Sequence, residues 1–183
     1  DDGTAYMLYS HDPTPMQQHP QADCTSGTNA NQPGCGKLTV AKLTPDFLRS
    51  TWDAATQTGE SKWGITGFEA PAMFKREGVY YALTSDACCY CGEGGKVWVH
   101  TASSPLGSYA LQALPISFGT GNITTQGQQT TVTQVGNEFL WQGDRWQSAA
   151  DRIKAHDFQF WSKLEFGSSG EIHRMVWEDE ISL

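Results

Sequence analysis

The sequence predicts an all-β fold, on three observations. Glycine is abundant (19 of 183 residues), aromatics make up 11% and charged residues only 17%, a composition suited to short strands joined by many turns. Runs of alternating or β-branched residues recur along the chain, separated by Gly, Pro, Asn and Asp. No stretch carries the periodicity of an amphipathic helix.

Taken in order, Asp1-Asp2-Gly3 reads as a turn and residues 4–10 (TAYMLYS) as a strand. Residues 11–36 are polar and rich in Pro, Gln, Asn and Gly, hence a long loop. Residues 37–43 (KLTVAKL) alternate as a second strand, and Thr44-Pro45-Asp46-Phe47 caps a turn or a single helical turn. Residues 50–66, with Trp52 and Trp63, read as loop. FEAPAMFKREGVYYALTS (68–85) reads as a hairpin: a short apolar run at 72–75, a turn at Arg76-Glu77-Gly78 and a strand at 79–84. Residues 96–101 (KVWVHT) pair with that strand and end in Ser104-Pro105-Leu106-Gly107. Residues 130–135 and 138–142 form a hairpin across Gly136-Asn137. Residues 157–166 and 171–177 are expected to meet across 167–170.

These strands repeat. The pair at 80–85 and 96–101, with its Ser-Pro turn, echoes the pair at 6–10 and 37–43 with Thr44-Pro45, and a third version follows. The interval is roughly 60 residues, longer than the roughly 40–50 common for propeller blades. Each unit holds about four short strands, the content of one blade. The expected architecture is a β-propeller of four-stranded blades at about 1–66, 67–124 and 125–183; a β-sandwich of the same strands is the alternative.

The net charge of −8, with no basic stripe, argues against a nucleic-acid partner. No apolar run approaches the roughly 20 residues that span a bilayer. An opening on Asp1-Asp2-Gly3 reads as a processed or excerpted chain. Five cysteines fall in two groups, Cys24 and Cys35, then Cys88, Cys89 and Cys91. The second group lacks zinc-knuckle spacing, so disulfides are expected ahead of a metal, with pairing left open and one thiol over. Asn122-Ile123-Thr124 is a glycosylation sequon, which agrees with secretion to the extracellular space.

The chemistry centres on Glu69, between Phe68 and an Ala-Pro step just before a strand. Partial desolvation there would let a carboxyl keep its proton near neutral pH and act as an acid; an ordinary strand-edge glutamate is the alternative. Gly143-Asp144-Arg145-Trp146 ends a strand, where a Trp face can stack on a sugar ring and an Arg fork can grip hydroxyls. The alternative is a salt-bridged turn with Trp146 in the core. His156-Asp157 reads as structural, with a catalytic or metal-adjacent pair as the alternative, and His11, His19, His100 and His173 show no ligand spacing. Trp52, Trp63, Trp98, Trp141, Trp161 and Trp177 are read mostly as packing between blades, with one or two of them lining a sugar cleft as the alternative.

Together the pieces DDGTAYMLYS, KLTPDFL, FEAPAMFKREGVYYALTS, SSPLGSY, GQQTTV and GDRW resemble the five-bladed β-propeller glycoside hydrolases of family 43, in the exo-β-1,3-galactanase-like branch. The resemblance implies an inverting enzyme with Glu69 as general acid and Gln129 where a base is expected, a neutral amide that can act only by orienting water or through an unusual tautomer. It implies that Asp144, Arg145 and Trp146 shape a sugar pocket at the ring centre. It implies no cofactor, although a structural cation such as calcium fits the family's central channel. The tail from 156 to 177 and the cluster at 88–91 depart from the pattern. The family's pKa-tuning aspartate falls upstream of this chain, and on the order of 100 further residues would be needed to close the ring. The expected function is a secreted hydrolase of galactan-type or related glycans. The competing expectation is a non-catalytic propeller that binds glycans or joins other chains of an extracellular assembly.

Overall fold

The computed structural model describes residues 2–11, 37–51, 61–66, 69–85, 96–117 and 127–182, with the backbone alone at His11, Lys37, Ser61–Thr66 and Glu69. The described residues form three antiparallel sheets. The first holds β1 (Tyr6–His11), β2 (Lys37–Lys42) and β3 (Ser61–Thr66) in that order. The second is β4 (Glu69–Arg76), β5 (Val79–Ser85), β6 (Val97–Ala102) and β7 (Ala110–Leu111). The third is β8 (Gln128–Val135), β9 (Glu138–Asp144) and β10 (Gln159–Lys163). Each sheet is a meander, and β4, the first strand of its sheet, lies against both β1 and β8, the first strands of the others.

Turn chemistry sets the hairpins. Glu77 and Gly78 both have positive φ (49° and 83°), the backbone of a type I′ turn, whose twist matches that of the strands it joins. At Gly136-Asn137 only the glycine does (60°), as in a type II′ turn.

The second sheet is buried on both faces because alternate residues of β5 enter different cores. Tyr81 and Leu83 join Val97, Val99, Phe139, Trp141 and Phe160 between sheets two and three. Ala82 joins Leu38 and Val40 between sheets one and two. In the larger core Phe74 stacks on Tyr81 (4.9 Å between centroids, 4° between planes), and Phe166 meets both edge-on. The Tyr81 hydroxyl donates to Gly170 O at 2.8 Å, tying the C-terminal segment to this core.

Two expected elements differ. Residues 61–66, expected as loop, form β3, whose register skips Gly64: Leu38 faces Ile65 and Thr39 faces Trp63. The skipped glycine is a β-bulge, which breaks the alternation that identifies a strand. The expected strand at 171–177 is absent. After β10 the chain makes a single bridge, Phe166 to Ile172, and then leaves sheet three. It runs beside residues 112–117 at the outer side of sheet two: Met175 N–H donates to Ile116 O (2.9 Å), and the Gln112 amide exchanges two bonds with the Ile172 backbone (2.9 and 3.0 Å). Ile172 and Met175 are both buried in the larger core, and a spacing of three cannot place two side chains on one face of a strand.

Thr84, Trp98 and His100 share with Ala82 the face of sheet two that looks toward sheet one. Thr84 Oγ1, Trp98 Nε1 and His100 Nε2 are buried there without a hydrogen-bond partner among the described residues. Burial alone lowers the His100 pKa from 6.5 to about 4. The unfolded chain therefore takes up a proton at higher pH than the folded one. Stability is full above about pH 6.5 and falls as pH drops toward 4, by ~3 kcal/mol in all. Denaturant midpoints between pH 7 and 4 should show this slope, and His100→Leu should flatten it; an unchanged slope in that variant would assign it to other groups.

Candidate active site

The site forms where β4 and β8 begin. Glu69 opens β4 opposite Ser85, and the ladder next matches Ala72 with Leu83, so Ala70 and Pro71 form a bulge. Ala70 has a left-handed backbone (φ 52°), costly for a residue with a Cβ and sustained only where neighbours hold it. Pro71 brings no N–H that would need a partner here.

The neighbour is Gln129, second residue of β8 and 2% exposed. Its Nε2 donates to Ala70 O at 2.5 Å, and its Oε1 accepts the Trp141 Nε1–H at 3.1 Å. Trp141 Nε1 can only donate and a carbonyl can only accept, so the amide has one orientation. Trp141, on β9, is 1% exposed. Its ring crosses the backbone of Gly143, where an added Cβ would lie 2.3 Å from the indole, so the glycine makes room for it. β8 also carries a bulge, between Gln129 and Thr131. The result is a brace, Trp141 to Gln129 to Ala70, from sheet three to the residue after Glu69. Among the described residues one amide N–H and one lone pair of Gln129 have no partner.

Asp144 ends β9, paired in register with Gln128 on one side and Gln159 on the other, and accepts from Gln159 Nε2 at 3.3 Å. The connection to β10 thus leaves the sheet at the end where Gln129 and Ala70 meet. Arg145 turns to the C-terminal segment: its guanidinium lies 5.3 Å from the Trp177 ring centroid, and its Nε is buried without a hydrogen-bond partner among the described residues. Trp146 is half-buried with the Lys154 ammonium 3.7 Å from its centroid. Asp157 organises this connection, accepting from Gln147 N–H and Ala149 N–H (3.0 Å each) and from Lys154 Nζ (3.2 Å). Those bonds, chiefly the one from Ala149, hold its carboxyl below the usual range. His156 Nδ1 pairs with Asp151 at 2.7 Å. His156 and Asp157 thus serve the loop's shape.

Of the expected site residues, Gln129 meets the residue beside Glu69, and Asp144, Arg145 and Trp146 follow at the same sheet end. Trp161 and Trp177, expected to pack between blades, are 47% and 42% exposed, Trp177 stacking on Phe160 (4.3 Å). Asn122, Cys24, Cys35, Cys88, Cys89, Cys91 and Trp52 lie outside the described residues. Among the described residues no His, Cys, Asp or Glu cluster could hold a metal ion, and no helix is long and apolar enough to cross a membrane. The sequence reading missed the roles of Ala70, Trp141 and Gly143. A signal existed in FLWQGD, where a Trp two residues before a Gly puts both on one strand face.

No protein-family model and no curated protein matches the chain. Solved structures do. A GH43 β-1,3-galactosidase with galactodeoxynojirimycin matches with a TM-score of 0.66 at 24% identity, over 84% of this chain and 45% of that one. An exo-β-1,3-galactanase from Clostridium thermocellum matches at 0.60 and 21%, over 80% and 32%. A family 43 arabinoxylan arabinofuranohydrolase from Bacillus subtilis, in complex with cellotetraose, matches at 0.65 and 19%, over 97% and 36%. The chain spans less than half the length of each. Over that span its sheets are arranged as in glycoside hydrolase family 43, and the likeness is one of fold.

Proposed function

We propose that this chain is the part of a family 43-type glycoside hydrolase that carries its general acid, Glu69, and that the enzyme inverts configuration on galactan-type glycans. The observation that carries the reading is the strained Ala70 after Glu69, fixed by a buried amide from the neighbouring sheet. Strain maintained by an interaction between sheets at the mouth of the first strands is what a positioned catalytic group requires. In the full ring the three sheets are consecutive blades of five, and the water that attacks the anomeric carbon from the face opposite the leaving group is oriented by Gln129 with residues outside this chain. Asp144 and Trp146 flank the sugar. The five cysteines and the Asn122 sequon support a secreted, disulfide-bonded glycoprotein.

A second reading, a glycan-binding module without turnover, is favoured by one observation: half of the Gln129 hydrogen-bonding capacity goes to the brace. The two separate in one experiment. Incubating the full-length polypeptide with β-1,3-galactotriose and following the sugar by proton NMR should show galactose released first as the α-anomer. Release of the β-anomer would contradict inversion, and binding without release would leave the second reading standing.

A further inference from the structure

The β9–β10 connection carries a cleft of about 650 Å³ lined, among the described residues, by Gln147, Arg152, Lys154 and Asp157. In a chain of net charge −8, two of these four residues are cations and one is an anion, so the described lining is net positive. Most charges of the connection are paired or packed: Lys154 with Asp157 (3.2 Å), His156 with Asp151 (2.7 Å), Arg145 on Trp177 and Asp144 with Gln159. Arg152 is the exception. It is exposed, and its guanidinium has no hydrogen bond or ion pair among the described residues. Gln147 and Arg152, both on the cleft wall, have left-handed backbones (φ 60° and 59°), which non-glycine residues adopt mainly where surroundings or function hold them. Lys154 lies over the Trp146 face and pairs with Asp157, so the wall carries a second donor whose charge that carboxylate shares.

We infer that this cleft is a subsite for a uronic-acid residue, whose carboxylate takes the Arg152 fork. A guanidinium presents paired N–H groups that match a carboxylate, and an uncompensated one beside a cleft favours an anionic sugar over a neutral one. The connection that carries the cleft leaves sheet three at the end that holds Gln129 and Ala70, so an acidic residue there can belong to the same bound glycan. The inference rests on the glycan-binding reading above and adds the charge of the glycan.

Calorimetric titration of the full-length polypeptide compares β-1,3-galactotriose with the same trisaccharide carrying a glucuronate branch. The acidic sugar should bind about tenfold more tightly, equivalent to ~1.4 kcal/mol, with the advantage shrinking at high salt. Arg152→Ala should remove the advantage and leave the neutral sugar's affinity unchanged, while Arg152→Lys should keep part of it. Equal affinities in the wild type, or an advantage that survives Arg152→Ala, would overturn this inference alone. If neither sugar binds, the glycan reading fails and this one with it.

Discussion

Replacing Glu69 by Gln should lower the rate of galactoside cleavage by about 10²- to 10⁴-fold, the usual contribution of a general acid. The amide matches the carboxyl in size but cannot deliver a proton to the departing oxygen. What makes the residue a candidate is the backbone that follows it. Ala70 is left-handed at a bulge between Glu69 and Ala72, and its carbonyl is held from another sheet. Those features belong to the backbone of Ala70, and the substitution keeps the size of the side chain, so the unfolding midpoint should stay that of the wild type. Steady-state kinetics beside thermal unfolding check both halves.

The second large effect is expected at Trp141. Trp141→Ala removes a side chain that is 1% exposed and packs in the core between sheets two and three, at a cost of ~3–5 kcal/mol. It also strips the Gln129 carbonyl of its donor. Trp141→Phe separates the two terms: most of the bulk stays, the indole N–H goes, and the buried amide oxygen loses its partner at about 1–3 kcal/mol. Gln129 would then be free to tilt away from Ala70. Turnover should fall further than chemical denaturation alone predicts at a temperature where the variant is still folded. A variant that loses stability but keeps wild-type turnover would reduce the brace to packing.

Much of the fold was legible because the rules that build it are local. The hairpins around Glu77-Gly78 and Gly136-Asn137 follow from turn residues between runs of alternating period, and VYYALT reads as a strand, though not as one buried on both faces. What escaped depends on distant partners. Gly64 interrupts a pattern that only the pairing of its neighbours, Ile65 with Leu38 and Trp63 with Thr39, turns into a bulge. Ile172 and Met175 lie three apart because the segment serves a core made by other sheets, not a ladder of its own. At the site, Glu69 stood out by its Ala-Pro neighbours. The bond that gives Ala70 its shape comes from Gln129, 59 residues on, and alanine carries no mark of a positive φ. Arg152 escaped for the opposite reason: its distinction is the lack of a partner among the described residues, visible only once its neighbours have found theirs.

The central claim, that Glu69 is the group that protonates the departing oxygen, is tested most directly by comparing Glu69→Gln on two substrates. One is β-1,3-galactobiose, whose leaving alkoxide needs a proton; the other is 2,4-dinitrophenyl β-galactoside, whose phenolate leaves without one. The account predicts a loss of at least about 10²-fold on the disaccharide and a far smaller loss on the activated galactoside. Equal losses on both substrates, or none on the disaccharide, would contradict it.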